Sequence, residues 1–112
     1  MGCTISAKKD SVTVARKNGL RSLTVDMGDT PDIVQTVAVT AAYAKGETNI
    51  TNISHLRFKE TDRITHPAKE LSKMGIKTRI SEDSLHITGG SVRGSIIDTY
   101  NDHRMAMSFT IA

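Results

Sequence analysis

Tryptophan is absent from this 112-residue chain, aromatic residues make up only 4% of it, and cysteine occurs once, at Cys3. With two Tyr and two Phe, the core must be built from Val, Ile, Leu, Ala and Met. A lone cysteine excludes an intramolecular disulfide. No apolar run approaches the roughly 20 residues a membrane-spanning helix needs, so a soluble, cytoplasmic-type protein without a membrane partner is expected. No sign of charge dominates, since the net charge is only +3. Lys8, Lys9, Arg16, Lys17 and Arg21 are scattered without interleaved aromatics, which argues against a nucleic-acid platform. Proline is scarce: Pro31 stands where a helix could start, and Pro67 falls inside a helical pattern. At this length the chain can form one core, burying roughly two-thirds of its unfolded surface.

What is present includes an internal echo. Asp10-Ser11 returns as Asp83-Ser84 and, after a one-residue slip, Asp26 matches Asp98, Asp29 matches Asn101, and the apolar runs from Ile33 and Met105 coincide, a period of about 72 residues. One full unit, about residues 1–73, and part of a second, 74–112, are expected. The opening Met1-Gly2-Cys3-Thr4-Ile5-Ser6 fits an N-myristoylation pattern. Its recurrence as Met74-Gly75 argues instead that Met1 ends a preceding helix.

Local signals outline the elements. Thr4–Ala7 and Val12–Arg16 alternate around Lys8-Lys9-Asp10-Ser11 and predict a hairpin, echoed by Lys77–Ile80 and Leu85–Thr88. Leu23–Asp26 and Thr48–Ile53 read as strands. A helix is expected from Pro31 to Lys45, capped by Thr30, ended by Gly46 and apolar nearly all round. A second is expected from about Lys59 to Met74, with Ile64, Ala68, Leu71 and Met74 inward and Lys69, Glu70 and Lys73 in water. Pro67 would kink it, because its missing N–H leaves the Arg63 carbonyl unpaired. A third should begin near His103, with Met105, Met107, Phe109 and Ile111 needing cover. The mixture places the chain in the α/β (α+β) class.

Two stretches crowd cations and carboxylates together: Leu56-Arg57-Phe58-Lys59-Glu60-Thr61-Asp62-Arg63 and Tyr100-Asn101-Asp102-His103-Arg104-Met105-Ala106-Met107. On a helix starting near Lys59, Lys59, Glu60 and Arg63 would share a face, one carboxylate between two cations, with Asp62 pointing elsewhere. Asp102, His103 and Arg104 would stand at a helix start, where free N–H groups favour an anion. Both suit a small, highly charged ligand. Asp26, Asp29 and Asp32 are spaced carboxylates, but turn chemistry explains them better than a metal, since no His or Cys completes a site.

These stretches, with Asp26-Met27-Gly28-Asp29-Thr30-Pro31-Asp32, resemble the motifs of the 5-enolpyruvylshikimate-3-phosphate synthase (3-phosphoshikimate 1-carboxyvinyltransferase) family over residues 1–112. The resemblance implies repeated βαβαββ units in an inverted α/β barrel-like fold, and a chain that is a fragment of the second of two domains, the first missing. It implies enolpyruvyl transfer from phosphoenolpyruvate to shikimate 3-phosphate with release of phosphate, in the shikimate pathway of aromatic amino-acid and chorismate biosynthesis. No cofactor or metal is implied. Asp32 would accept the proton of the attacking hydroxyl, and Glu60 with Lys59 would protonate the methylene of phosphoenolpyruvate. Lys59 would also contact the sugar-like substrate, and Arg63 and Arg104 would clamp an anionic group, arginine forks meeting two oxygens at once. His103 and His55 complete the implied substrate contacts, while Asn101 and Asp102 would orient neighbours.

Plainer readings exist for each. Asp32 could be a first-turn carboxylate stabilised by the helix dipole, Lys59, Glu60 and Arg63 a surface ion-pair cluster, and His103 a helix-start histidine. Two other functions also stay open: a UDP-N-acetylglucosamine enolpyruvyl transferase fragment, or a non-catalytic anion-binding module. Exposed apolar area and open strand edges should make the chain self-associate.

Overall fold

The computed structural model describes residues 1–16 and 18–112. Strands Cys3–Lys8 (β1) and Ser11–Arg16 (β2) form an antiparallel hairpin standing apart as its own two-stranded sheet. Then come strand Thr24–Asp26 (β3), a 3-10 turn Pro31–Ile33 leading into helix Val34–Ala41 (α1), and strand Glu47–Thr51 (β4). A second 3-10 turn, Ser54–Phe58, precedes helix Thr65–Lys73 (α2), strands Lys77–Ile80 (β5) and Leu85–Thr88 (β6), and helix His103–Thr110 (α3). From β3 to β6 the order is one βαβαββ unit.

Its four strands lie in the order β3-β4-β6-β5, with β3 parallel to β4 and the other pairs antiparallel. A parallel pair needs a crossover, and α1 supplies it. Period-two alternation sends Thr48, Ile50, Leu85 and Ile87 inward and leaves Glu47, Asn49 and His86 on the outer face, where Arg79 pairs with Glu47. The core lies between the inner face and the helices, with Val34, Ala38, Leu71, Ile50, Ile87 and Met105 sealed from water. Gly89, just past β6, passes so near the end of α1 that a Cβ there would sit 1.9 Å from the Ala44 carbonyl oxygen. Lys8, Lys9, Arg16 and Arg21 are exposed, and Lys17 lies outside the described residues.

Several local expectations are corrected. Helix α2 starts at Thr65 rather than Lys59, because Asp62 caps it: its Oδ1 accepts the N–H groups of Ile64 at 3.0 Å and Thr65 at 2.9 Å. Residues 59–61 are therefore non-helical, and Lys59, Glu60 and Arg63 share no helical face. Pro67 lies early in α2, where its missing N–H skips one step of the ladder, at the Arg63 carbonyl, while the N–H groups on either side bond on, His66 to the Asp62 carbonyl at 3.1 Å and Ala68 to that of Ile64 at 3.3 Å. Thr30 makes no side-chain cap, and Ile33 stays half exposed where an all-round buried helix was expected. In α3, Met105 and Phe109 are covered within the chain, which leaves only Met107 and Ile111 in water.

Candidate active site

Three helix starts converge. Asp32 precedes α1, Asp62 and Arg63 precede α2, and Asp102 is the N-cap of α3, its carboxylate accepting the Arg104 N–H at 2.9 Å. Arg63 joins them, for its guanidinium, only 2% exposed, reaches all three groups around it. Nε donates to Asp102 Oδ2 at 2.8 Å, Nη2 pairs with Glu60 Oε2 at 2.7 Å, and Nη1 stands 3.6 Å from Asp32 Oδ1. The sequence pattern suggested a carboxylate between two cations, whereas the fold makes a buried arginine among three carboxylates. Burial of so large a cation is tolerable only because those partners compensate its lost hydration.

Arg104 stands on the solvent side. Its Nη2 pairs with Asp32 Oδ2 at 3.0 Å, and its Nη1 donates to the Asp32 carbonyl at 3.1 Å. Asp32 thus lies between two arginines with its side chain 60% exposed. Glu60 is similarly open on its far side. The two carboxylates implied to move protons face solvent, and the one holding the arginine does not.

Asp102 is the anchor. Besides Arg63 and the Arg104 N–H, it accepts from Thr61 Oγ1 at 3.1 Å and Gln35 Nε2 at 3.2 Å. Burial alone would raise its pKa, but the bonds from Arg63, the Arg104 N–H and Thr61 outweigh it and hold the carboxyl down at about 2. Asp102 is ionised at any physiological pH.

The remaining expected residues do not join this cluster. Lys59 is exposed in extended backbone at the end of the 3-10 turn, His55 is exposed within that turn, and His103 is exposed at the first position of α3. Among the described residues no hydrogen bond or ion pair ties any of the three to the arginines. Asp26 serves a turn, accepting the Gly28 N–H at 2.9 Å and the Asn52 amide. Gln35 and Thr61 escaped notice because single polar residues carry no spacing signal. Glu70, expected in water, is buried. It lies seven residues after Arg63, and that helical spacing could have placed it on the same face.

Chemically, the cluster can hold an oxyanion at two arginine forks and offer two solvent-facing carboxylates for proton transfer. Its formal charge is negative: two arginines against Asp32, Glu60 and Asp102. An arriving anion must displace a carboxylate or bring in further cations.

Known proteins resemble the chain as a whole. The profile of the family described as EPSP synthase (3-phosphoshikimate 1-carboxyvinyltransferase) matches residues 1–112. A 3-phosphoshikimate 1-carboxyvinyltransferase of Methanococcoides burtonii is 49% identical over 113 aligned positions, covering 100% of this chain and 26% of that protein. A solved structure of EPSP synthase from Acinetobacter baumannii superposes with a TM-score of 0.81 at 26% identity, covering 97% of this chain and 28% of the other. An enolpyruvyl transferase from Streptomyces tendae superposes at 0.57 and 26% identity, over 80% of this chain and 20% of that one. The chain spans about a quarter of the length of the curated relatives it matches.

Proposed function

The chain belongs to the EPSP synthase family, and we propose that it forms part of the second domain of a 3-phosphoshikimate 1-carboxyvinyltransferase and carries the arginine and carboxylate half of its active site. The longer enzyme moves the enolpyruvyl group of phosphoenolpyruvate to a hydroxyl of shikimate 3-phosphate and releases phosphate. The observation that carries this reading is Asp32, a solvent-facing carboxylate suspended between Arg63 and Arg104.

Asp32 is the most loosely held partner of Arg63, at 3.6 Å against 2.7 and 2.8 Å for Glu60 and Asp102. An anionic group of phosphoenolpyruvate takes its place on the forks, and the displaced carboxylate is then free to accept a proton. In the addition step the substrate hydroxyl oxygen bonds to the central carbon of phosphoenolpyruvate and its proton passes to Asp32. Glu60, with Lys59 beside it, delivers a proton to the methylene carbon. The tetrahedral adduct then loses a proton from that carbon and expels phosphate. Preorganised arginines supply orientation and electrostatic stabilisation, and atoms balance without a cofactor or metal. Exposed His103, between Asp102 and Arg104 in the chain, and exposed His55 of the 3-10 turn supply the further substrate contacts.

The domain-level reading has support of its own. The four cross-strand pairs of β5 and β6 recur in β1 and β2 about 73 residues earlier, Thr78↔Ile87 as Ile5↔Val14 and Ile80↔Leu85 as Ala7↔Val12. The Met1 carbonyl accepts the Arg21 N–H at 3.1 Å as the Met74 carbonyl accepts that of Arg93 at 2.9 Å. Gly2 and Gly75 follow with φ of 86° and 83°. On this reading the repeat is phased differently from units 1–73 and 74–112: β3 to β6 make the full unit, and the hairpin and α3 belong to neighbouring units on either side of it. A cytoplasmic location belongs to the same reading, since the exposed free thiol of Cys3 suits a reducing compartment. Among the described residues no helix is long and apolar enough to cross a membrane.

The test uses the longer enzyme. Glu60→Gln and Asp32→Asn keep shape but remove proton transfer, so turnover should fall by roughly 10²–10⁴ with modest change in substrate binding. Phosphate release from phosphoenolpyruvate and shikimate 3-phosphate measures it. Near-normal turnover in either variant refutes the role given to that residue.

A further inference from the structure

Glu70 is fully buried, and no step above uses it. Its Oε1 accepts the Tyr100 hydroxyl at 2.7 Å; its Oε2 accepts the Asp98 N–H at 3.1 Å and Lys73 Nζ at 2.7 Å. Tyr100 and the next residue, Asn101, are both non-glycine residues in the left-handed region, with φ of 53° and 56°. Two such residues in succession are disfavoured unless something holds them. Asp102, which they deliver, anchors Arg63. Between the two attachment points His66 stacks on the Tyr100 ring with centroids 3.7 Å apart and planes within 2°. The segment 98–102 is therefore fastened to the α2 region twice, at Asp102 by Arg63 and at Asp98 and Tyr100 by Glu70.

We propose that Glu70 and Tyr100 are positioning residues for Arg63: their hydrogen bond holds the left-handed turn at 100–101 that sets the Asp102 carboxylate against the Arg63 guanidinium. What Arg63 does for substrate rests on the function proposed above; the mechanical coupling does not. Within the segment, only the Asp98 carboxylate on the Tyr100 N–H and the Thr99 carbonyl on the Asp102 N–H brace the turn. Glu70 binds it to the helix. Burial would raise the Glu70 pKa, but Lys73, the Tyr100 hydroxyl and the Asp98 N–H together hold it below the ordinary carboxylate range, so the acceptor stays ionised. Burial, followed by the Glu70 bond, pushes the Tyr100 phenol up to about 12, so the donor keeps its proton.

The experiment replaces Tyr100→Phe in the longer enzyme, which removes the hydroxyl and leaves the ring on His66. Without ligand, hydrogen exchange of the Arg63 Nε–H, assigned in the nitrogen-15 spectrum by its loss in Arg63→Lys, should quicken about ten-fold because the Asp102 acceptor loosens. Binding of phosphoenolpyruvate should weaken about five-fold in Tyr100→Phe, yet show no further loss when the same change is made in Asp102→Asn. A merely structural contribution would weaken binding equally in both backgrounds, and that outcome overturns the proposal. Unchanged Arg63 exchange overturns it as well. If the parent enzyme shows no phosphoenolpyruvate binding, the functional reading fails, while the exchange measurement still decides the positioning.

Discussion

At the residue scale, Arg63 and Asp102 decide most of the site's electrostatics. Asp102 is ionised down to about pH 2 because Arg63, the Arg104 N–H and Thr61 overcome the effect of its burial. A carboxyl with a folded pKa below its ordinary value of 3.8 adds stability above that value and loses it as pH falls through the folded one. That contribution should be complete above about pH 5 and lost between about pH 4 and pH 2, a difference on the order of 2 kcal/mol. Urea unfolding at pH 7 and near pH 2.5 should show a drop larger in the parent chain than in Asp102→Asn by about this amount. Equal drops would mean that Asp102 is not coupled to Arg63. The residue types were legible in the sequence: both charged stretches stood out, and Asp102 was read as an orienting residue. Their pairing was not, because Arg63 and Asp102 are 39 residues apart and only packing brings them together.

At the scale of elements, strands and hairpins were read nearly to the residue, since period-two alternation and turn residues are local signals. The start of α2 was missed because helical spacing in Lys59-Glu60-Thr61-Asp62-Arg63 competes with a cap, and Asp62 wins by satisfying free N–H groups. Pro67 then follows the cap by five residues, and its missing N–H leaves out one bond, to the Arg63 carbonyl. Pro67→Ala should restore that bond and raise stability by about 1 kcal/mol or more, whereas an unchanged value would mean that water already satisfies the carbonyl. The urea midpoint separates the two. Gly89 behaves oppositely, since the Ala44 carbonyl occupies the space of a Cβ. Gly89→Ala should cost at least roughly 2 kcal/mol and lower the melting temperature, while an unchanged value would mean that the end of α1 yields freely.

At the scale of the whole molecule, the hairpin presents one apolar face, Ile5, Val12 and Val14 being 68%, 67% and 63% exposed, and Met107 and Ile111 are open on α3. Apolar faces of this kind bring copies together. We expect the isolated 112-residue chain to sediment as a dimer or larger at near-millimolar concentration, and to release no phosphate from phosphoenolpyruvate and shikimate 3-phosphate. The second expectation follows from charge: two arginines facing three carboxylates leave no net attraction for an anion. A clean monomer with a protected α3 would defeat the first expectation, and measurable phosphate release would defeat the second.

The sequence by itself determined the class of fold, the strand and hairpin positions and the family, because each is written in short-range periodicity or in contiguous motifs. It also named the charged residues that meet. Only the tertiary structure decided who pairs with whom: that Arg63 is buried among carboxylates rather than offered to solvent, that Asp32 hangs between two arginines, and that Glu70 leaves water to hold Tyr100. The reason is physical. A charge's partner depends on burial and on distance across segments tens of residues apart, and neither quantity exists until the helices have packed on the sheet.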